Sequence, residues 1–260
     1  MVAGHFGFIH SSSAGGRFHP RRFNPALRGH GATSHYDHST PGRSTPSPPN
    51  RTQAMANHRF LVHEHYPINF TDEDIECPEG QFVHLACPAS IRKCAHCNNH
   101  EHHPGEIVIA FDGACSNNGK GEAIASYGVY LGRENPINKS VTLRGDRHTL
   151  QVAELAGCLN AMRMAVAVKM TSPLRDVLRT VTIKSHSSYV VDGLTEHLRG
   201  WKEKGWKTAK GSPVANIDHW KRLEQQIEFL EAGGVTVRFW LVPKEMNQQA
   251  EILAKLAQPE

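Results

Sequence analysis

Residues 107–113 read IVIAFDG, an apolar run that ends in an aspartate and a glycine. A short apolar run bounded by a turn signal is typical of a strand that is buried in a sheet. Asp112 is therefore predicted to lie at the end of a central strand, the edge at which sites of open α/β sheets form. Taken alone, Asp112 and Gly113 also fit an ordinary Asp-Gly turn.

The sequence after this run alternates between strand and helix patterns. Further strands are predicted at residues 123–131, 140–144, 177–185 and 235–242. Residues 149–170 form a long predicted helix, because apolar side chains recur there at helical spacing; three more helices are predicted at 187–198, 217–234 and 247–257. The predicted fold class is α/β with the order βββαβααβα. Its mixed five-stranded sheet has three antiparallel meander strands plus parallel strands, and helices on both faces.

Composition limits the remaining organisation. The chain has 260 residues, of which 39% are hydrophobic, and a net charge of +4. This charge permits a polyanionic partner without requiring one. No run of about 18 apolar residues exists, so no membrane span is predicted. The first residues lack a continuous apolar core, so we expect no secretory signal, and the six cysteines are predicted to be reduced thiols or metal ligands.

Residues 1–56 are predicted to be a disordered basic tail. They consist mainly of Gly, Ser, Pro, His and Arg, and Asp37 is their only acidic residue. Such a segment cannot bury enough apolar area to offset its ordering entropy. Its composition is similar to that of a mitochondrial transit peptide, although Gly and Pro interrupt any long amphipathic helix. We therefore expect the protein to be located in the nucleus or cytoplasm, with the mitochondrion as the alternative.

Residues 57–104 form a short region rich in cysteine and histidine. Thiolate and imidazole ligands at close spacing can hold a tetrahedral Zn²⁺, which would contribute folding free energy to a small region. The candidate ligands are Cys77, Cys87, Cys94, Cys97 and His100. Free thiols in a His-rich solvated linker are the alternative.

Five local patterns of residues 105–258 occur in one order. They are FDGACSNNGKG, AEL within the long helix, SSYVVDGL after a strand, WKEKGWKT, and NQQAEILAKLA in the last helix. This combination resembles type 1 ribonuclease H, especially its fungal and bacterial forms. The resemblance implies a ribonuclease H-like fold for residues 105–260. It also implies endonucleolytic cleavage of the RNA strand of RNA/DNA hybrids at two Mg²⁺ ions.

The resemblance further implies a set of four metal-site residues: Asp112, Glu154, His186 and Glu251. Aspartates of the family correspond to Asp112, His186 and Glu251, and the family's helix glutamate corresponds to Glu154. An imidazole at residue 186 removes one negative charge and offers nitrogen, which Mn²⁺ tolerates better than Mg²⁺ does. We therefore expect weakened metal binding and weakened cleavage. A polar His186 and a solvated Glu251 with no ligand role are the alternatives, and they favour an inactive pseudoenzyme or interaction module.

Two stretches are predicted to contact nucleic acid. By resemblance, the first comprises Asn117, Asn118, Thr149 and Gln151, although the neighbouring Leu150 and Val152 cannot donate hydrogen bonds to a ribose hydroxyl. The second is a basic segment with interleaved aromatic residues: Trp201, Lys202, Lys204, Trp206, Lys207 and Lys210. A solvated basic face anchored by its tryptophans is the alternative for this segment. The expected partner is an RNA/DNA hybrid or double-stranded RNA, bound by a monomer.

Overall fold

The computed structural model describes residues 58–90, 92–95, 99–118, 123–145 and 149–258. All of them belong to one compact unit. The predicted tail at residues 1–56, and Cys97 among the predicted zinc ligands, lie outside the described residues. Within the described ranges, no helix combines the length and apolar character that crossing a bilayer requires.

The described part of the chain contains seven strands and six α-helices. The strands are β1 (Glu76–Glu79), β2 (Phe82–Ala86), β3 (His102–Ser116), β4 (Ile124–Tyr130), β5 (Lys139–Thr142), β6 (Thr180–Ser185) and β7 (Thr236–Leu241). The helices are α1 (Val62–His65), α2 (Leu150–Thr171), α3 (Ser188–Asp192), α4 (Leu198–Glu203), α5 (Ile217–Ala232) and α6 (Gln248–Leu256). A π-helical stretch, Gly193–His197, joins α3 to α4, and a 3-10 helix, Lys244–Asn247, precedes α6.

The sheet is organised around β3. Strand β4 pairs with β3 in antiparallel orientation and β5 pairs with β4, which forms the predicted meander. On its other side β3 is parallel to β6, and β6 is parallel to β7. The predicted ribonuclease H-like order of strands and helices is confirmed. The sheet has seven strands instead of the five predicted, because β1 and β2 add an antiparallel hairpin to the first half of β3.

Two hydrophobic clusters cover the two faces of the sheet. The first joins Ile109 and Phe111 of β3 to Leu155 of α2 and Ile227 of α5. The second is built largely from residues before β3, and it reaches Trp240 of β7. The same strand sequence can serve both clusters because successive side chains of a strand point to opposite faces.

The segment before β3 is therefore part of the sheet and of the core. The amide of Phe60 donates to the Phe239 carbonyl at 2.8 Å, and the Phe239 amide donates to the carbonyl of His58 at 2.7 Å. Phe60 packs edge-on against Trp240, with 5.5 Å between ring centroids. Burial of aromatic and aliphatic side chains thus stabilises residues 58–104. The domain boundary at residue 105 stays a prediction, but strands on both sides of it share one sheet.

Helix α6 lies very close to β4 at Gly128. A Cβ atom added to Gly128 would lie 2.3 Å from the Ala250 carbonyl oxygen and 2.5 Å from the amide nitrogen of Ala254. Only glycine leaves room for the helix backbone there, and α6 carries Glu251. The side chain of Ser126, two residues earlier, donates to the carbonyl of Ala254 at 2.6 Å and fixes the same approach of helix to strand.

We expect Gly128→Ala to lower the free energy of unfolding by about 1–3 kcal/mol, because the added methyl group overpacks the interface between β4 and α6. The measurement is urea unfolding followed by circular dichroism. Gly200→Ala is the matched control, since a Cβ at Gly200 meets no atom within 4 Å. That control should be neutral or stabilising by up to about 1 kcal/mol. Equal stability of Gly128→Ala and the wild type would contradict the close approach.

Candidate active site

The candidate site begins where β3 meets α2. A Cβ atom on Gly113 would lie 2.5 Å from the amide nitrogen of Glu154 and 2.8 Å from its Cγ atom. The strand and the helix therefore touch backbone to backbone, which only glycine permits. Asp112 directly precedes this contact and Glu154 lies in it. The two residues are close enough that the charge of Asp112 raises the pKa of Glu154.

Asp112 is a buried carboxyl group, with only 3% of its surface exposed. Its Oδ1 atom has no hydrogen-bond partner among the described residues. Burial, aided by the charge of Glu251, raises the pKa of Asp112 to about 6, against the opposing effects of His186, the Gly113 backbone and Lys244. A buried carboxylate oxygen without a hydrogen bond is one that a bound ion or water could satisfy.

Glu154 lies on α2 and is also buried. Burial raises its pKa to about 7, a hydrogen bond with Ser187 opposes this rise, and the charge of Asp112 adds to it. The Ser187 hydroxyl also caps α3 by accepting a hydrogen bond from the Val190 amide at 3.3 Å. The start of α3 is therefore tied to the carboxyl group of α2.

His186 follows β6 directly and lies beside Asp112. Its Nδ1 atom is 3.4 Å from Asp112 Oδ1 and 3.3 Å from Nδ2 of Asn247. The Asn247 amide also donates to the Phe111 carbonyl at 2.9 Å, which fixes its orientation. Nδ1 of His186 therefore faces an acceptor and a donor together. With a proton it donates to Asp112, and without one it accepts from Asn247.

Glu251 is paired with two lysines. Its Oε1 atom lies 2.7 Å from Nζ of Lys255 and 3.0 Å from Nζ of Lys244. Lys255, and after it Lys244, lower the pKa of Glu251. The glutamate is therefore ionised, but its charge is balanced locally. Asp192 is the next acidic residue after His186 in the sequence. It accepts a hydrogen bond from Arg59 at 2.5 Å, so its charge is balanced by that arginine.

The donor set fits one hard divalent cation better than two. Asp112 and Glu154 could supply buried carboxylate oxygens, and the orphaned Oδ1 of Asp112 is available for an ion. His186 adds a nitrogen, which suits Mn²⁺ better than Mg²⁺. Glu251 would have to give up its lysine partners to join them. In the described part of the chain, these four residues do not bring three ligand atoms within 4.8 Å of one another.

The described members of the predicted zinc set lie on segments that are in contact. The Cys77 thiol lies 3.4 Å from the carbonyl of His100, and the Cys94 amide donates to the carbonyl of Asn99 at 2.8 Å. Among the described residues, no three of Cys77, Cys87, Cys94 and His100 place ligand atoms within 4.8 Å of one another. The predicted zinc site, which includes Cys97, stays a prediction.

The predicted nucleic-acid-binding residues near α2 act in part as helix caps. Thr149 is the N-cap, and its hydroxyl accepts a hydrogen bond from the Val152 amide at 3.2 Å. The Asn118 side chain accepts from the Leu150 amide at 3.1 Å. These bonds satisfy amides at the start of α2, close to Glu154. The two other predicted nucleic-acid-binding residues of this stretch have exposed side chains: Asn117 and Gln151.

The basic segment is anchored by its tryptophans. Trp201 lies against Trp220, with 5.2 Å between ring centroids, and Trp206 also packs against the first hydrophobic cluster. Lys202 forms an ion pair with Glu224. The anchoring role, the alternative raised for these aromatic residues, is thus the one that the geometry shows. All four lysines of the segment are exposed: Lys202, Lys204, Lys207 and Lys210.

Comparison with known proteins shows which family the chain is similar to. The sequence profile of the RNase H family matches residues 104–257. Ribonuclease H of Paracidovorax citrulli (strain AAC00-1) is 37% identical over 155 residues, which are 57% of this chain and 91% of that protein. Ribonuclease H1 of Mus musculus is 30% identical over 156 residues, which are 58% of this chain and 50% of the mouse protein.

A solved structure of LC11-RNase H1 in complex with an RNA/DNA hybrid is similar to 58% of this chain and 94% of that chain, at 16% identity and a TM-score of 0.42. The chain spans about half the length of the mouse, rat and human relatives it matches. Residues 104–257 nevertheless carry the family profile over more than half of this chain. The chain belongs to the ribonuclease H family.

Three residues of the site were not predicted from the sequence. Asn247 bridges β3 and His186, Ser187 bridges α3 and Glu154, and Lys244 neutralises Glu251. A serine at a helix start fits ordinary capping, but the second hydrogen bond of Ser187, to a helix distant in sequence, has no local signal. Asn247 opens the last predicted helix, and a polar residue at a helix start also fits ordinary capping.

The raised pKa of Glu154 predicts that the stability of the folded chain depends on pH. Glu154 has a pKa of about 7 in the folded chain, above its ordinary value of 4.5. Between these pH values the folded state holds more protons than the unfolded state, so stability falls as the pH rises through this window. Glu154→Gln removes this titration. We expect the variant to be more stable than the wild type at pH 8 by about 1–3 kcal/mol, and nearly equal at pH 4.5.

Urea unfolding at a series of pH values, with a chelator present, measures this difference. Glu251→Gln is the control of opposite sign, because the pKa of Glu251 is lowered and its ionised form stabilises the fold at neutral pH. That variant should lose stability relative to the wild type as the pH rises toward 4.5 and above. If the free energies of unfolding of Glu154→Gln and the wild type change with pH in parallel, ionisation of Glu154 does not destabilise the fold.

Proposed function

We propose that this protein binds RNA/DNA hybrids and cleaves their RNA strand weakly in Mg²⁺. The observation that carries the proposal is the imidazole of His186, 3.4 Å from the buried carboxyl group of Asp112. A pair of Mg²⁺ ions at this position would require negative oxygen ligands, whereas His186 supplies a nitrogen without negative charge. The family membership of residues 104–257 supports the reaction class.

The chemistry assigned to each residue follows from its environment. Bound divalent ions would activate water and stabilise the leaving oxygen in phosphodiester hydrolysis. Asp112 and Glu154 would hold the ion, since they offer buried oxygens at the end of β3. Asn247 orients the imidazole of His186 through its fixed amide, and Ser187 orients Glu154. Burial keeps both carboxyl groups prone to protonation near neutral pH, which weakens their hold on a cation at low pH.

The pairing of Glu251 favours a second function, that of a binding module without cleavage. Lys244 and Lys255 both lie within 3.0 Å of its carboxylate. A cation entering this position would have to displace both ammonium groups. If it does not, the protein grips a hybrid or double-stranded RNA without cutting it. Cleavage in Mn²⁺ distinguishes the two functions, because Mn²⁺ accepts a mixed nitrogen and oxygen ligand set.

The exposed lysines of the segment after α4 support a polyanionic partner. Lys204, Lys207 and Lys210 project from a turn region that Trp201 and Trp206 anchor to the core. Lysine ammonium groups on a rigid base bind phosphates without reading sequence. The apolar Leu150 and Val152 reduce the means of reading a ribose hydroxyl near the site. Binding is therefore proposed to depend more on charge than on recognition of the sugar.

We expect His186→Asp to increase cleavage of a labelled RNA/DNA hybrid in Mg²⁺ by about tenfold or more, since about 1.4 kcal/mol of transition-state stabilisation corresponds to a factor of ten. The double variant with Glu251→Asp should cut faster still. Product formation on denaturing gels measures both rates. Without metal, a third acid next to Asp112 should also lower the melting temperature, and added Mg²⁺ should restore it.

His186→Asn is the matched control, because it removes the imidazole without adding charge. It should cleave no faster than the wild type and show no such Mg²⁺-dependent gain in melting temperature. Two results would contradict the proposal: folded His186→Asp and double variants that bind hybrid but do not cleave it, or rapid cleavage in Mg²⁺ by the wild type.

We expect the triple variant Lys204→Ala, Lys207→Ala and Lys210→Ala to bind hybrid about tenfold more weakly at low salt. For each lysine that binds a phosphate, its replacement should also reduce the slope of log affinity against log salt by about 0.9. Fluorescence anisotropy at several salt concentrations measures both quantities.

A second triple variant controls for net charge. It replaces three exposed cations outside this segment by alanine: Arg133, Lys139 and Arg175. This control should change the affinity and the salt slope much less. Equal losses in the two triple variants would mean that overall charge, and not the basic segment, holds the nucleic acid.

A further inference from the structure

Three side chains from three neighbouring strands converge at the hairpin that precedes the family region. Glu79 ends β1, His84 lies in β2, and His102 begins β3. One ligand atom from each lies within 4.8 Å of the other two. No other group of three histidine, cysteine or acidic residues meets this criterion in the described ranges of the chain. This cluster contains no cysteine and none of the four candidate active-site residues.

An irregularity in strand pairing brings the two histidines together. His84 is paired with Ile107, whereas Ala86, two residues later, is paired with His102. The extra residues of β3 between these pairs form a bulge, which re-aims side chains at a strand edge. The imidazole rings of His84 and His102 are consequently stacked, with 4.7 Å between centroids and 24° between planes.

His84 is poised as a neutral ligand. Its side chain is only 4% exposed, and Nδ1 lies 3.2 Å from the main-chain carbonyl of Glu106. When Nδ1 donates its proton to that carbonyl, Nε2 keeps a free lone pair, which is the arrangement found around metal-bound imidazoles. Burial first, and then the neighbouring His102, lower the pKa of His84 despite the carbonyls of Glu106 and His103 and the charge of Glu79.

Glu79 opens the cluster to solvent. Its side chain is 66% exposed, and its carboxylate contacts Nε2 of His102. The carboxylate of Glu79 is therefore accessible from outside, whereas His84 is buried. A positive charge placed between the three groups would be neutralised by the carboxylate. A proton on His102 can satisfy Glu79 alone.

We propose that Glu79, His84 and His102 form a binding site for a divalent transition-metal ion, with Zn²⁺ as the best fit. Two imidazole nitrogens and one carboxylate oxygen are a common zinc ligand set, which leaves a fourth position for water. Mg²⁺ does not suit the site, because it prefers oxygen ligands throughout. The ion would join β1, β2 and β3, and β3 is the strand that carries Asp112.

The test is a titration of the full chain with ZnCl₂, against a competing chelator, with ¹⁵N-imidazole spectra recorded in parallel. The wild type should bind one Zn²⁺, and the imidazole signals of His84 and His102 should shift together as it binds. Its melting temperature should rise with Zn²⁺ but not with Mg²⁺. Glu79→Gln and His102→Gln should each weaken this binding at least tenfold, since even loss of an outer-shell partner of a metal site costs about 10–100-fold.

Glu79→Gln keeps the test decisive, because the side chain lies at the surface and its replacement leaves the core intact. Two controls separate other metal ligands of the chain: His63→Gln, which alters an exposed histidine outside the cluster, and the double variant Cys94→Ser with Cys97→Ser. Both should keep the wild-type affinity. Unchanged Zn²⁺ affinity in Glu79→Gln and His102→Gln, or loss of binding only in the cysteine variant, would overturn the proposal. So would His102 signals that respond to pH but not to Zn²⁺, which would indicate an ordinary ion pair.

Discussion

Close packing of the β3 backbone on that of α2 at Gly113 determines the chemistry of this molecule. Because no side chain separates the strand from the helix, Asp112 and Glu154 are both buried next to this contact. Two carboxyl groups so placed resist ionisation, and burial raises the pKa of each. The neighbouring groups then decide whether a cation is recruited. Lys244 brings a positive charge near the site, and this charge opposes the rise in the pKa of Asp112.

The fold around this site is held together by hydrophobic packing. The backbone packing and the buried pair depend on the two hydrophobic clusters, which hold the sheet and helices together independently of any ion. The imidazole of His186 lies 3.4 Å from Oδ1 of Asp112 and can donate a hydrogen bond to it. The lysine pairs of Glu251 balance its charge at the start of α6.

The sequence predicted the fold and the position of the site because both rest on local patterns. The apolar run before Asp112, the long helix around Glu154 and the strand before His186 each have a clear period, and their order matches the family. Interactions between distant residues left no such signal. The second role of Ser187, the bridge made by Asn247 and the stacking of His84 on His102 depend on strand register, which a single sequence does not fix.

The second hydrophobic cluster, which contains Phe60, has a practical consequence for the isolation of residues 105–260 alone. A fragment cut at residue 105 would lose the partners of Val108, Trp240 and Val242, which pack in that cluster. It would also leave the outer edge of β7 unpaired, because residues 58–60 supply its hydrogen bonds. An uncovered apolar surface beside an open strand edge promotes self-association. Expression work on this protein should therefore retain the residues from His58 onward.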